Sequence, residues 1–329
     1  MAECPHFEHL LVIPHLWVQN ANSLSSPLTH GFPSITAFLG LMWALERKTH
    51  AAGLDLQFNA VSVVAHHHEE QVTQGDFVNT LHLTRNPLNR DGSTAAIVEE
   101  GRVHLQISLV FAVQSQALND QSDGRAIAHQ VRELLMQMRI AGGCVLPSTA
   151  PHRKQQPYAI PMTGDEEARE RLFYQTKLRL LPGFVLVERQ DLLQQRHQDL
   201  QISQPQATLL DAWLSLSRIN WSSVTLASEC ESPRHTEWSN DRKGLGWIVP
   251  IPVGYGALTP LQEAGSVARA RDAQVPFRFV ESLYGVGQWI SPHRLQSVQQ
   301  LLWYADYQSD EGLYRCRNDY RAQSMSHFD

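Results

Sequence analysis

Lysine is scarce in this 329-residue sequence: only 4 of its 27 basic residues are Lys, and the other 23 are Arg. The net charge is −6, which argues against a protein that captures nucleic acid by bulk attraction alone. Guanidinium groups make forked hydrogen bonds to phosphate and stack on bases, so an arginine-dominated complement suits a few placed contacts. A GC-rich genome would leave the same bias. Cysteine is equally rare. Cys4, Cys144, Cys230 and Cys316 include no CxxC pair and no neighbouring histidine at zinc-ligand spacing, which excludes a zinc ribbon and a disulfide framework. Basic residues are missing from the opening MAECPHFEHL, so no signal peptide is expected. Apolar runs stop at about a dozen residues, short of the ~20 a bilayer crossing needs. These absences predict a soluble, cytoplasmic protein with no membrane partner. Signatures of phosphate loops and nucleophile elbows are lacking too: there is no GxxxxGKS/T, GxSxG or GxGxxG. Gly244-Leu245-Gly246, Gly254-Tyr255-Gly256 and Gly285-Val286-Gly287 lack the third glycine and read as turns.

What is present is a core. Hydrophobic residues make up 43% and charged residues 18%, a balance that packs rather than stays disordered. Leu10 to Val18 reads as a buried strand, with Pro14 marking an edge or a bulge. Ser34 can cap a helix to about Lys48, with Ile35, Phe38, Leu39, Met42 and Leu45 on one face. Leu54 to Ala65 and Val103 to Val113 read as strands, and Arg125 to Arg139 as a second helix. Phe184 to Glu188 reads as a fourth strand. Strand, helix, strand, strand, helix, strand is the order of the ferredoxin-like split βαβ unit. The expected class is therefore α+β, with a ferredoxin-like core over residues 1–190. Two insertions decorate it, at about 77–102 and 142–181, the latter with a helix from Asp165 to Leu181. A helical and irregular C-terminal extension is expected over 191–329, with helices near Asp191–Ile202 and Thr208–Ile219. Within it, the polar stretch Ser222 to Lys243 looks like a flexible loop.

Three stretches can carry chemistry. The loop Gln19 to Ser34 is dense in small hydrogen-bonding side chains and runs into a helix N-terminus, where free N–H groups favour phosphate. Asn20, Asn22, Ser25 and His30 are its candidate contacts, and a capped surface loop is the plain alternative. Between two strands, TRNPLNRDGSTAAIVEEGR (Thr84 to Arg102) projects Arg85, Arg90 and Arg102 as a finger suited to gripping phosphates. Asn86 and Asn89 can read base edges there or satisfy the loop's own carbonyls. Finally, MRIAGG followed by PHRK places Arg139, Arg153 and Lys154 near a glycine turn in the most basic part of the chain, where a solvated helix surface is the alternative. The run His66-His67-His68 puts two imidazoles on one face of a strand. A metal site needs more ligands than that, so a surface strand end is the simpler reading and no metal or other cofactor is expected.

Several of these segments resemble one family: the Cas-five-class subunits of type I-F CRISPR surveillance (Csy) complexes. The similarity rests on QNANSLSSPLTHGFPS with the AFLG that follows, NPLNRDGSTAAIVEEGR, MRIAGG, LLPGF, GWIVPIPVGY and RFVESLYGVGQW, from Gln19 to Trp289. The resemblance implies an RNA-recognition-like, RAMP-type core with a thumb-like extension and no catalytic residues. It implies a subunit that pairs with the large subunit, holds the 5′ handle of the crRNA, and caps the filament of backbone subunits. Target DNA is then met through the assembled complex in antiviral defence, and viral anti-CRISPR proteins form a further class of partner. Arg85, Asn86, Asn89, Arg90 and Arg102 match the family motif and become expected handle contacts, with Arg139 added on electrostatic grounds. The His66–His68 run and the Ser222–Lys243 stretch depart from the family pattern. The competing reading is a metal-independent RAMP-type RNA endonuclease using His30 or His66 as general acid or base.

Overall fold

The computed structural model describes residues 3–85, 88–119, 124–147, 155–226, 235–270 and 272–322. The chain opens with β1 (His9–Asn22), the short hairpin β2 (Leu24–Ser26) and β3 (Thr29–His30), then α1 (Ile35–Ala51) and β4 (Gln57–Glu70). Two small hairpins follow, β5 (Val72–Gln74) with β6 (Asn79–Leu81) and β7 (Leu83–Arg85) with β8 (Ile97–Glu99). Next come β9 (Arg102–Gln114), α2 (Gln116–Asn119), α3 (Gly124–Met136), β10 (Arg139–Ile140), β11 (Gly143–Leu146), β12 (Tyr158–Pro161) and α4 (Glu166–Arg179). The remainder holds β13 (Phe184–Glu188), α5 (Gln190–Ser203), α6 (Leu209–Leu216), β14 (Trp221–Leu226), β15 (His235–Asn240), β16 (Trp247–Ala257), β17 (Val280–Ile290), β18 (Trp303–Gln308) and β19 (Leu313–Asn318).

The molecule is α+β, built on one large antiparallel sheet in the order β10-β11-β1-β9-β4-β13-β17-β16-β19-β18, with β12 also paired to β1. Period-two burial splits this sheet between two cores. On one face Leu11, Ile13, Val61, Val63, Leu109 and Phe111 pack under Phe38, Leu39 and Met42 of α1 and Ile127, Val131 and Leu135 of α3. On the other, Leu10, Val12, Val64, Val110 and Ala112 meet Phe173, Leu180 and Tyr304. A third, smaller core joins Leu193, Trp213 and Leu216 of α5 and α6 to Ile248 and Val286. Pro14 marks a bulge rather than an edge. The β1–β9 register slips between Ile13 and Leu16, His15 adopts φ 52, and Pro14 falls where β12 has ended and β11 has not begun. A residue without an N–H loses nothing in that gap.

The expected helices lie where the apolar stripes put them, with two local differences. Helix α3 stops at Met136, so that Arg139, expected to end it, opens β10 instead. Ser34 holds the N-cap position of α1, but its hydroxyl bonds Thr36 Oγ1 at 2.7 Å instead of a backbone N–H. Larger corrections concern the strands. Phe184–Glu188 does form β13, yet it lies beside β4, with Val185 opposite Val64, and not beside β1. The free edge of β1 is taken by β11 and β12, which come from within the second insertion. Four of the five residues of β13 are buried and both of its faces carry apolar side chains, so its own sequence favours neither neighbour.

Beyond residue 191, α5 and α6 are helical as expected, but four long strands then continue the main sheet where irregular structure was expected. Prolines and glycines hid them. Pro250 and Pro252 are tolerated because that half of β16 pairs only with β17, while β19 joins only from Gly254 to Gly256. Gly254 has φ 149, and a Cβ there would lie 2.0 Å from Tyr314 O, so this strand crossing requires glycine. The stretch Ser222–Lys243 is described only at 222–226 and 235–243, and there it is no simple loop: β14 and β15 pair in register from Trp221–Asn240 to Leu226–His235. The last strands curl the sheet back on itself, for β18 pairs with β4 at Trp303–Val61.

Candidate nucleic-acid interface

The C-terminal end of β1 gathers four of the expected contacts. A second bulge, between Val18 and Ala21, turns Asn20 to φ 57, and its backbone N–H donates to Nδ1 of His104 at 3.2 Å. Asn22 sits opposite Arg102 in the β1–β9 ladder. Its side chain closes on Leu24, Oδ1 accepting from Leu24 N–H at 3.1 Å and Nδ2 donating to Leu24 O at 2.8 Å. Asn22 N–H donates to Ala141 O at 2.8 Å, which ties this corner to the glycine turn. There Ala141 has φ 47 and Gly142 φ 82, and Gly143 leaves no room for a side chain: a Cβ would lie 2.7 Å from Ala21 N and 2.8 Å from Gln19 O. The close approach positions Arg139, which is exposed, opposite Cys144 and bonded through Nη1 to Gly142 O at 3.2 Å. Arg102 faces Glu100, and the two form an ion pair.

The finger stands apart from this corner. Arg85, on β7 opposite Ile97, and Arg90 are exposed, and neither side chain hydrogen-bonds another described residue. Asn89 is spent on its own loop, its N–H donating to Ser93 O at 2.9 Å and its Nδ2 to Ser93 Oγ at 3.0 Å. Asp91 accepts from Ser93 Oγ–H at 2.7 Å and from Ser93 N–H at 3.0 Å, and these bonds hold its carboxyl below the usual carboxylate range. Asn86, Arg153 and Lys154 lie outside the described residues.

The histidine run lies near the end of β4, which continues two residues beyond it to Glu70, and His67 and His68 are exposed. The three rings go to three neighbours. His66 Nδ1 lies 2.6 Å from Pro182 O, its Nε2 2.7 Å from Ser108 Oγ, and its ring 4.2 Å from that of His15. Burial pushes His66 down to about 4, the Pro182 carbonyl opposing that shift. His67 leans on Trp17, with ring centroids 5.9 Å apart, and His68 Nε2 meets Gly31 O at 2.7 Å. His30 lies 3.2 Å from Glu70. Among the described residues no three His, Cys, Asp or Glu side chains come together as a metal site. Beside the run opens a cleft of about 430 Å³, walled by Phe32, Phe184, Trp247 and Trp289 and roofed by His30 and His68.

Sequence reasoning passed over His104, Gln106 and Trp17, which share this part of the sheet. The signal was there: Val103, Leu105 and Ile107 alternate inward, so the residues between them must point out.

Comparison with known proteins covers most of the chain. Residues 11–316 match the family model described as CRISPR-associated protein (Cas_Csy2). The sequence is also similar to the CRISPR-associated protein Csy2 of Pseudomonas aeruginosa (strain UCBPP-PA14), at 48% identity over 313 residues, covering 94% of each chain.

Proposed function

This chain belongs to the Csy2 family of CRISPR-associated proteins, and we propose that it is the non-catalytic, RNA-holding subunit of a type I-F Csy surveillance complex. In this role it pairs with the large subunit, grips the 5′ handle of the crRNA and caps the backbone filament. Target DNA is met through guide pairing in the assembled complex, in the cytoplasm, and viral anti-CRISPR proteins are a further partner class. No helix among the described residues is long and apolar enough to cross a membrane.

The observation that carries the reading is the convergence of Asn20, Asn22, Arg102 and Arg139 on one corner of the sheet. Placed amides and guanidiniums of this kind hold a bent single strand by shape and hydrogen bonding, which an acidic protein cannot do by net charge. The strand order β11-β1-β9-β4, with α1 and α3 crossing one face, supports reading this half as a ferredoxin-like, RAMP-type core. The hairpins β5 to β8, carrying Arg85 and Arg90, then stand as its thumb. The endonuclease alternative draws no support from His66, whose ring nitrogens are both engaged and whose neutral form is strongly favoured.

Co-expression with the large subunit and repeat RNA, followed by native mass spectrometry, tests the proposal. A one-to-one heterodimer carrying handle RNA, lost when the handle is scrambled, is expected. A stable monomer with neither RNA nor partner overturns it.

A further inference from the structure

Strand β9 alternates cleanly at its start. Val103, Leu105 and Ile107 are buried in the core beneath α1 and α3, so Arg102, His104 and Gln106 point to the opposite side of the sheet. Cross-strand partners share a face. Trp17 and His67 are both opposite Gln106, and Leu146 is opposite Trp17. They form one row: Leu146, Trp17, Gln106, His67. The neighbouring row, two residues or about 7 Å along the strands, holds Arg139, Cys144, Gln19, His104 and Glu69. Lower on this same face, Val110 and Ala112 are roofed by Phe173 and Leu180. Among the described residues that roof does not reach the upper rows, where Trp17 remains 41% and Leu146 40% exposed.

We propose that this bare face is a stacking platform for a nucleobase of single-stranded RNA, with Trp17 as the plate. His67 braces the Trp17 ring from the side, 5.9 Å away. Gln106 and His104 offer amide and imidazole groups to base edges, and Arg139 in the next row takes the adjoining phosphate. The inference rests on the RNA-holding reading above and names where on the molecule the strand lies.

Polarity selects RNA over a protein partner. The buried centre of a protein interface is depleted in charged groups and rich in apolar ones. Here one indole and one leucine stand among glutamines, histidines and arginine, the composition that reads unstacked bases. Glu69 decides the strand's orientation. Its carboxylate lies 3.8 Å from His67 Nε2 and repels phosphate, so the backbone runs on the Arg139 side and the base covers Trp17.

The test uses the full chain in its complex with the large subunit, titrated with a fluorescein-labelled single-stranded handle RNA. Loss of one base–aromatic stack should weaken binding of Trp17→Ala by about 5- to 150-fold, while Trp17→Phe stays within about threefold of wild type. In parallel, handle RNA carrying 4-thiouridine at successive positions is photo-cross-linked to the wild-type chain, so the result does not depend on any variant folding. A cross-link on the β1 peptide containing Trp17 is expected at one position. Wild-type affinity in Trp17→Ala, with cross-links confined to the β7–β8 finger, overturns the platform and leaves the RNA-holding reading intact. Loss of the large subunit from Trp17→Ala, with handle RNA still bound, also overturns it and makes the face a protein contact. No binding of handle RNA by the wild-type complex overturns both.

Discussion

Inside β4, the His66 ring has given both nitrogens away: Nδ1–H donates to the Pro182 carbonyl, and Nε2 accepts from the Ser108 hydroxyl, which itself accepts His15 N–H at 3.0 Å. This chain of bonds needs a neutral imidazole. A proton on Nε2 would displace the Ser108 hydroxyl and sit against the His15 ring. In the unfolded chain His66 titrates near 6.5, and in the fold at about 4, so between those values the unfolded state binds the extra proton. Stability is therefore complete above about pH 6.5 and falls as the pH drops toward 4, by ~3 kcal/mol at most from this residue. His15 and His9, also lowered by burial, steepen the same slope. Thermal melts from pH 7 to 4 should show Tm falling with acid, and His66→Gln should flatten that fall. An unchanged slope in the variant would remove His66 from the explanation. Other residue-scale features were legible: Asp165 and Thr208, read as helix starts, are N-caps whose side chains accept from Ala168 N–H and Asp211 N–H. The His66 arrangement was not legible, because its partners come from three distant segments and no local pattern announces them.

At the scale of elements, amphipathic helices announce themselves. The stripe Ile35, Phe38, Leu39, Met42, Leu45 is the buried face of α1, because a 3.6-residue period has one solution. Strands are harder, since period two fixes which face is buried but not which neighbour is paired. That ambiguity explains why β13 was legible as a strand and misplaced in the sheet. In β16 the residues needed for close crossing, Gly254 above all, imitate a turn. The finger was legible as a projecting, arginine-bearing loop, and of the two uses the sequence left open for Asn89, serving its own loop is the one the structure shows. Arg85 and Arg90 are both exposed, so replacing both with Ala should leave Tm unchanged. If each meets one phosphate, the slope of log affinity against log salt for handle RNA should shrink by about 1.4. An identical slope and identical RNA content would take the finger out of RNA capture.

For the molecule as a whole, the central event is the closure of the sheet. β13, β17, β16, β19 and β18 run out from β4 and return to it at Trp303–Val61. Trp303 is 1% exposed, and its indole N–H donates to Leu186 O at 2.7 Å, across the ring of strands. Ion pairs brace the same region: Arg315 with Glu188 and Arg317 with Asp306, each at 2.7 Å. Since those carboxylates are buried, losing a partner would strand a charge. Trp303→Ala, which empties a fully buried indole site, should cost ~3–5 kcal/mol, read as a lower urea midpoint. Tryptophan fluorescence and far-ultraviolet circular dichroism should keep coincident transitions in the wild type, because the closing strands belong to the same sheet as β1. Separate transitions would mean that the two halves fold independently. None of this closure was legible in sequence, where β4 and β18 are remote and WYADYQ falls in the part expected to be irregular.

The closure also sets a timetable. On the ribosome, β1, α1, β4 and β9 emerge early and can pair at once, but the part of β4 around Val61 finds its outer neighbour only after residue 303 has been made. Until then that edge is an open row of backbone donors and acceptors, ready to add a strand from any nascent chain nearby. Slowing synthesis should therefore raise the soluble fraction of this chain, and rapid expression should lower it. A ribosome stalled shortly before residue 303 would hold the molecule at its most adhesive.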